Sequence, residues 1–138
     1  MGGEIAPEWS PTSFWRLRTS YSFLNTSLKK SPQSADVGTA PFIEGSSPRH
    51  QADIQSSFNL SKTVSLDLTY RYVGALAGLA VPAYSSADVR AAWRLSQHLE
   101  LSLVGQNLLQ PEHFESSSDP GPLVGIKRSA YAKITWAH

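Results

Sequence analysis

The sequence contains no cysteine, and its charges almost cancel. Twelve Lys and Arg against eleven Asp and Glu leave a formal net charge of +1, so we expect no basic surface of the kind that binds nucleic acid. Without cysteine the chain has no disulfide bonds and no thiolate metal sites. Its 138 residues are expected to form one domain, covering residues 1–138.

Long apolar segments are also missing. The longest weakly polar run, residues 73–84, is shorter than the roughly 20 residues that a membrane-spanning helix needs, and Pro82 interrupts it. The segment that begins at Met1 has neither the basic start nor the apolar stretch of a signal peptide. We therefore expect no membrane helix, and nothing in the sequence as it stands would direct export.

Motifs for catalysis and metal binding are scarce. The four histidines lie on different predicted segments without the spacing of a zinc motif. No nucleophile elbow, phosphate loop or Rossmann glycine pattern is present. The sequence therefore predicts no enzyme and no cofactor. His113 and Glu115 are candidate ligand contacts in a loop, although a solvated loop is the better interpretation of them.

What the sequence has in abundance is alternation of apolar and polar residues, which is the period of a β-strand. The clearest example is 64–73, where Val64, Leu66, Leu68, Tyr70 and Tyr72 alternate with Ser65, Asp67, Thr69 and Arg71. The pattern recurs at 14–24, 51–60, 87–95, 99–103 and from about 124 to the end, with half a strand at 4–9. We predict an all-β protein, an antiparallel up-and-down meander of six to seven strands.

Short and long connections alternate between these strands. Short turns are predicted at 10–13, 61–63 and 96–98, and long loops at 25–48, 74–84 and 107–123. In an antiparallel meander the short turns then lie at one end and the long loops at the other. This asymmetry is typical of outer-membrane β-barrels.

Aromatic residues concentrate near both ends of the predicted strands, as in the interfacial belts of membrane barrels. The predicted belts contain Trp15, Phe58, Trp93 and Trp136 at the short-turn end and Tyr21, Phe23, Tyr70 and Tyr72 at the long-loop end. A soluble up-and-down β-domain with aromatic residues in its core produces a similar pattern. Two belts with aliphatic residues between them favour lipid.

Charged residues occupy the strand positions that alternate with the apolar ones, so they point to the opposite face of the sheet. They are predicted to face a lumen, because Arg on the lipid side costs about 2–4 kcal/mol at the membrane midplane. The candidates are Arg16, Arg18, Asp53, Arg71, Asp88, Arg90, Arg94 and Glu100. Short turns also predict the register. They place opposite charges in three cross-strand pairs, which are Glu8 with Arg16, Asp53 with Arg71, and Arg94 with Glu100. Such pairs also occur simply to fix strand register.

Several segments resemble one known family. Gly105-Gln106-Asn107-Leu108-Leu109 resembles an Asn-Leu segment near the end of the penultimate strand, and residues 128–136 resemble the terminal strand, of TonB-dependent outer-membrane receptors. Residues 71–74, 81–84 and 88–93 fit the hairpin that precedes them in these receptors. The resemblance covers nearly the whole chain and implies the C-terminal part of a large transmembrane β-barrel.

The resemblance implies a place in the cell outer membrane and a part in the uptake of a siderophore, cobalamin or similar nutrient. Its implied partners are membrane lipid, the remaining strands of the barrel and the plug domain. TonB would be reached only through an N-terminal part that nothing here resembles. We expect the chain to be a piece of a larger receptor, forming an open, curved sheet when alone. Such barrels usually end in Phe or Trp, whereas this chain ends in Ala137 and His138.

A second hypothesis comes from another class of protein. In a soluble β-barrel carrier of the lipocalin type, the apolar face points inward around a small apolar ligand and the charged face points outward. The first and last strands of such a carrier hydrogen-bond to each other and close the barrel.

Overall fold

The computed structural model describes residues 1–28, 43–115 and 124–137. It contains ten strands, β1 (Gly2–Ile5), β2 (Glu8–Thr12), β3 (Trp15–Leu24), β4 (His50–Asn59), β5 (Val64–Val73), β6 (Tyr84–Arg94), β7 (Leu99–Gln106), β8 (Glu112–Glu115), β9 (Val124–Lys127) and β10 (Ser129–Trp136). One 3-10 turn (Ala77–Leu79) precedes β6. The prediction of an all-β chain is confirmed.

Eight of the strands form one antiparallel sheet in chain order. β1 and β2 both pair with β3, so together they make one edge strand that is interrupted at Ala6 and Pro7. β4, β5, β6 and β7 follow, and β10 forms the other edge by pairing with β7. The predicted meander is confirmed, and it is open because its two edge strands do not pair with each other.

The short connections all lie at one end of this sheet, which we call the turn end. They follow β2, β4 and β6, whereas the connections after β3, β5 and β7 leave from the opposite end, the loop end. The predicted distribution of turns and loops is thus confirmed for the described residues. Residues 29–42 of the first long loop and 116–123 of the third lie outside them.

Several predicted boundaries are wrong, among them the start of β6, which lies at Tyr84 instead of 87. The first turn falls on Ser13 and Phe14 instead of 10–13, because β2 continues to Thr12. Pro11 is compatible with this strand because β2 is at the edge of the sheet, where a missing N–H is tolerated.

The region after residue 123, predicted to be a single strand, is divided in two. β9 pairs with β8 in a separate hairpin, and only β10 joins the main sheet. Between β9 and β10, the N–H of Arg128 donates to the carbonyl oxygen of Pro111. This bond continues the β8–β9 pairing by one residue, so Arg128 does not join the main sheet, and sequence alternation cannot show that.

The strand register fixes two faces, because direct cross-strand partners point to the same side. The apolar face comprises Ile5, Trp9, Trp15, Leu17, Tyr21, Phe23, Ile54, Phe58, Val64, Leu66, Leu68, Tyr70, Tyr72, Val89, Trp93, Leu99, Leu101, Leu103, Ile134 and Trp136, with smaller residues between them. The charged face carries Glu4, Glu8, Arg16, Arg18, Asp53, Asp67, Arg71, Asp88, Arg90, Arg94, Glu100 and Lys133. No Asp, Glu, Lys or Arg of the main sheet, within its described strands, lies on the apolar face.

The few buried apolar side chains do not come from the apolar face. Among the described residues they are Val73, Leu76, Val81, Ala92 and Val104. Three of them share the charged face, and Leu76 and Val81 belong to the connection between β5 and β6. Nothing in the described part of the chain therefore covers the apolar face.

Asn107 fixes the point where the chain leaves β7. It adopts the left-handed conformation, with φ of 53°, which Asn tolerates better than most residues. Its N–H donates to Oδ1 of Asp88 at 2.8 Å, and its side-chain Nδ2 donates to the carbonyl oxygen of Ile126 at 2.8 Å. The Asn of the family-like segment thus ties β6 and β9 to the end of β7.

We expect Asn107→Ala to lower the free energy of unfolding by about 1–3 kcal/mol, because it removes a buried hydrogen bond and leaves Ala in a left-handed conformation. Urea unfolding measures the change. Asn59→Ala, an exposed amide at the end of β4, is the matched control and should be nearly neutral. Equal effects of the two substitutions would contradict the role assigned to Asn107.

Candidate functional site

The charged face is the candidate site, because it gathers the Asp, Glu, Lys and Arg residues of the sheet. All eight residues predicted for a lumen lie on it, namely Arg16, Arg18, Asp53, Arg71, Asp88, Arg90, Arg94 and Glu100. Asp67 and Lys133, which the alternation also predicted on the polar side of their strands, lie there too. The alternation of apolar and polar residues along their strands assigns them to this face.

Arg90 joins two acids at the centre of this face. Its Nη1 lies 3.0 Å from Oδ2 of Asp67, and its Nη2 donates to Oε1 of Glu100. Ala92 and Ser102 occupy the row between Arg90 and Glu100 and are buried, at 5% and 2% exposure. Small side chains in this row leave room for the guanidinium to reach the second carboxylate.

One predicted charge pair is confirmed and a second is shifted. Asp53 lies directly opposite Arg71, with Oδ2 and Nε 3.5 Å apart. Glu8 lies opposite Arg18, not Arg16, because β2 is longer than predicted and contains a register shift. The Glu8 carboxylate still contacts both cations, at 2.9 Å from Nε of Arg18 and 3.5 Å from Nε of Arg16.

The third pair is confirmed in register but not in contact. Arg94 lies opposite Glu100, whose carboxylate bonds to Arg90 instead. Within the described ranges Arg94 makes no ion pair. It lines, together with Lys62, a depression of about 480 Å³ at the turn end of the charged face.

Further depressions of about 180, 230 and 430 Å³ also open mainly on the charged face. Their walls are rich in Ser, Thr, Asn, Gln and charged side chains, a composition that suits water and polar solutes. A search of the described residues finds no cluster of three or more His, Asp or Glu that could hold a metal ion. The face is a polar wall rather than an enclosed pocket.

The loop end of the charged face is partly covered by the β8–β9 hairpin. His113, a predicted ligand contact, is only 6% exposed, and its ring centroid lies 4.2 Å from that of Tyr84 on β6. Val73, the cross-strand partner of Tyr84, is also buried. His113 therefore packs against the sheet, and its role in ligand binding stays a prediction. Glu115 ends β8, and its side chain lies outside the described part of the structure.

All eight predicted belt residues lie on the apolar face. They are Trp15, Tyr21, Phe23, Phe58, Tyr70, Tyr72, Trp93 and Trp136. The turn-end group is continuous across three strands, since the ring centroids of Trp9 and Trp15, and of Trp15 and Phe58, are each 5.8 Å apart.

At the loop end the aromatic residues carry hydrogen bonds. The hydroxyl of Tyr21 lies 2.7 Å from Nδ1 of His50, and the hydroxyl of Tyr70 lies 3.1 Å from Oγ of Ser85. Tyrosine combines an apolar ring with a polar tip, which suits a boundary between an apolar and an aqueous phase.

No protein-family model matches the chain, and a search of curated proteins returns no match. Within the described residues no helix is long and apolar enough to cross a membrane. Functional inference therefore depends on the geometry of the two faces.

We expect Arg90→Gln to lower the free energy of unfolding by about 1 kcal/mol, because it removes the cation shared by Asp67 and Glu100 from a half-exposed site. Arg94→Gln is the matched control on the same strand and should be nearly neutral. Urea unfolding of both variants measures the difference. A loss at Arg94 that equals the loss at Arg90 would show that the ion pairs do not stabilise the sheet.

Proposed function

We propose that this chain forms part of the wall of an outer-membrane β-barrel of the TonB-dependent receptor type. Its apolar face would contact lipid, and its charged face would line the lumen. One observation carries this proposal: the described sheet confines its charges to one face, and the other face is apolar and uncovered.

The energetic argument concerns the apolar face in water. Leu103, Ile134 and Trp136 are 61%, 73% and 68% exposed, and they belong to one continuous surface across the sheet. Soluble monomers rarely expose large contiguous apolar patches, and those that exist mark contacts with a partner or a membrane. Contact with hydrocarbon would remove the free-energy cost of exposing this face to water. No other part of the chain would then have to cover it.

Strand length also supports a membrane wall. β3, β4 and β5 each have 10 residues and β6 has 11. A tilted transmembrane strand needs about 9–11 residues, whereas strands of ordinary globular domains most often have about five or six. β7 and β10, with 8 residues each, are only slightly shorter than the transmembrane range.

The turn-end aromatic residues lie on a slanted line across the sheet. Following the cross-strand pairs, Trp15 and Phe58 share a row, Trp9 lies two residues nearer the loop end, and Trp93 and Trp136 lie two and four residues nearer the turn end. The line therefore shifts by six residues over the six steps between the two edges.

A shift of one residue per strand defines a strand tilt. With a rise of about 3.3 Å per residue and about 4.8 Å between strands, the strands are inclined by about 35° to the normal of this line. Strands of transmembrane barrels are tilted by about 35–45°. A straight belt at a membrane surface would produce this slant.

The second belt gives the height of the apolar band. Phe23 lies eight residues from Trp15 along β3, which is about 26 Å along the strand. A tilt of about 35° reduces this to about 22 Å along the membrane normal, close to the apolar band of about 25 Å in outer-membrane barrels. Tyr72 gives a similar spacing, because it lies about seven residues from the point where the slanted line crosses β5.

The role that follows is that of a receptor wall for nutrient uptake. A polar, ion-paired lumen face allows a hydrated solute such as a siderophore or cobalamin to pass without a charge being buried in lipid. The plug domain and the contact with TonB would come from parts that this chain does not resemble. The alternative, a lipocalin-like carrier, needs its first and last strands to pair, and in the described sheet these are the two open edges.

Neighbouring residues at the middle of β5 test the orientation of the two faces. Leu68 lies on the apolar face and Thr69 on the charged face, and because the chain has no cysteine, Leu68→Cys and Thr69→Cys can each carry a single spin label. After reconstitution in lipid vesicles, we expect the label at 68 to be accessible to oxygen and the label at 69 to water-soluble nickel chelates.

The matched positions Leu66→Cys and Asp67→Cys should repeat this alternation. If all four labels respond alike, or if the protein stays in the aqueous phase with its apolar face shielded, a lipid-facing wall is excluded. A shielded apolar face in a water-soluble monomer would favour the carrier.

Arginine substitutions at the same two positions provide a thermodynamic test. We expect Leu68→Arg to destabilise the protein folded in vesicles by about 2–4 kcal/mol, because it places a charge on the lipid side near the middle of the strand. Thr69→Arg adds the same charge to the opposite face and should cost much less. Urea unfolding from vesicles compares them, and equal costs would contradict the assignment of the faces.

A further inference from the structure

The depression at the turn end of the charged face carries positive charge that the protein itself does not neutralise. Its wall contains two cations, Lys62 and Arg94, and one acid, Glu100. The carboxylate of Glu100 is bonded to Arg90. Neither Lys62 nor Arg94 makes an ion pair with any residue that the structure describes, so both charges are available to a ligand.

The other three depressions on this face differ in charge. The cation in each of them is held by an acid, because Arg71 contacts Asp53, and Arg18 and Arg16 both contact Glu8. The walls of the two smallest depressions each contain two acids and one base, and the wall of the depression of about 430 Å³ contains one of each. Of these four depressions, the one at the turn end alone has an excess of positive charge.

The side chain of Arg94 is left without a partner by the packing of its neighbours. Its direct cross-strand partner is Glu100, but small side chains in the adjacent row let Glu100 reach Arg90 instead. The backbone N–H of Arg94 donates to the carbonyl oxygen of Thr63 at 2.7 Å, which fixes the residue beside the turn. Its guanidinium group makes no hydrogen bond within the described residues, and its planar array of N–H donors suits an oxyanion.

The walls of the depression are held by hydrogen bonds within the chain. In the turn that carries Lys62, the N–H groups of Thr63 and Val64 donate to Oγ of Ser61 at 3.2 and 3.0 Å. The N–H of Asn59 donates to the carbonyl oxygen of Phe14 at 2.7 Å, which connects this side of the depression to the preceding turn. Because the walls are already ordered, a ligand would bind with little loss of backbone freedom.

The remaining polar side chains of the wall can contact an uncharged part of a ligand. Ser13, Asn59 and Ser65 line the depression, and their side chains make no hydrogen bond in the part of the chain that the structure describes. Hydroxyl and amide groups both donate and accept, so they match the hydroxyl groups of a sugar or polyol. The volume of about 480 Å³ is within the range of small-molecule sites and exceeds the needs of a single phosphate ion.

We propose that this depression binds the phosphate monoester of a small polar solute, such as a sugar phosphate. Arg94 and Lys62 contact the phosphate oxygens, and the hydroxyl and amide side chains contact the rest of the solute. A phosphate monoester carries a charge of about −1.5 to −2 at neutral pH, which matches two uncompensated cations better than the single charge of a carboxylate does.

The site depends only on the charged face and its turns, and it does not require lipid on the opposite face. Its position along a path for solutes rests on the proposed function, because the turn end of the charged face is then one end of the lumen.

A titration with glucose 6-phosphate, followed by phosphorus NMR, tests the site in the full chain folded in micelles of an uncharged detergent. We expect saturable binding that Arg94→Gln weakens about tenfold or more, because a charge-assisted hydrogen bond is lost. Lys62→Gln should weaken binding about two- to fivefold, because its charge is more mobile and exposed. Arg71→Gln is the matched control, since it removes the same charge from an ion pair elsewhere on this face, and it should bind like the unmodified chain.

Absence of saturable binding, or an equal loss in Arg71→Gln and Arg94→Gln, would overturn the site. Glucuronate, measured by its competition with glucose 6-phosphate, replaces the phosphate by a carboxylate, and equally tight binding of glucuronate would overturn the assignment of a phosphate. Equally tight binding of inorganic phosphate would overturn the contacts assigned to the hydroxyl and amide side chains. Spin-label accessibility in vesicles does not depend on any of these results, so failure here is distinguishable from failure of the proposed function.

Discussion

The structure depends on the alternation of apolar and polar side chains, held in phase by the strand register. A shift of one residue in any hairpin would move a whole strand's charges to the opposite face. Each described pair of the main sheet avoids this, so twelve charged residues share one face while the large apolar residues occupy the other. The irregularity in β2 respects the rule too, because Glu8 moves by two residues and stays on its face.

The two faces then differ in how the chain stabilises them. On the charged face, long side chains lie over small ones, and Arg90 bridges two acids above buried Ala92 and Ser102. At the loop end of the same face, His113 stacks on Tyr84. The apolar face has no comparable cover in the described residues.

Strand periodicity made most of the sheet predictable from the sequence. The period of two located the long strands, assigned the face of each charge and gave the exact registers of Asp53 with Arg71 and of Arg94 with Glu100. Side-chain contacts that depend on how far a side chain extends from its strand were not predictable. Glu100 bonds to Arg90 rather than to its direct partner, because contact depends on side-chain length and on the space above small neighbours.

The structure of the loops could not be predicted from the alternation either. β8 is short and has little periodicity of its own, so its pairing with β9 and the burial of His113 could not be read from alternation. The slanted aromatic line is different, because its residues were recognisable in sequence while its slope became visible only with the register of all strands. The uncovered apolar face is the strongest argument for a membrane, and the slope agrees with the strand tilt of a barrel.

The central claim, that the apolar face contacts lipid, can be tested with the four tryptophans of the native chain. All of them, Trp9, Trp15, Trp93 and Trp136, belong to the turn-end line. In bilayers of lipids brominated at different depths, the account predicts quenching of tryptophan fluorescence that is strongest for bromines near the headgroups and weak for bromines at the membrane centre. Absence of quenching, or equal quenching at every depth, would contradict it.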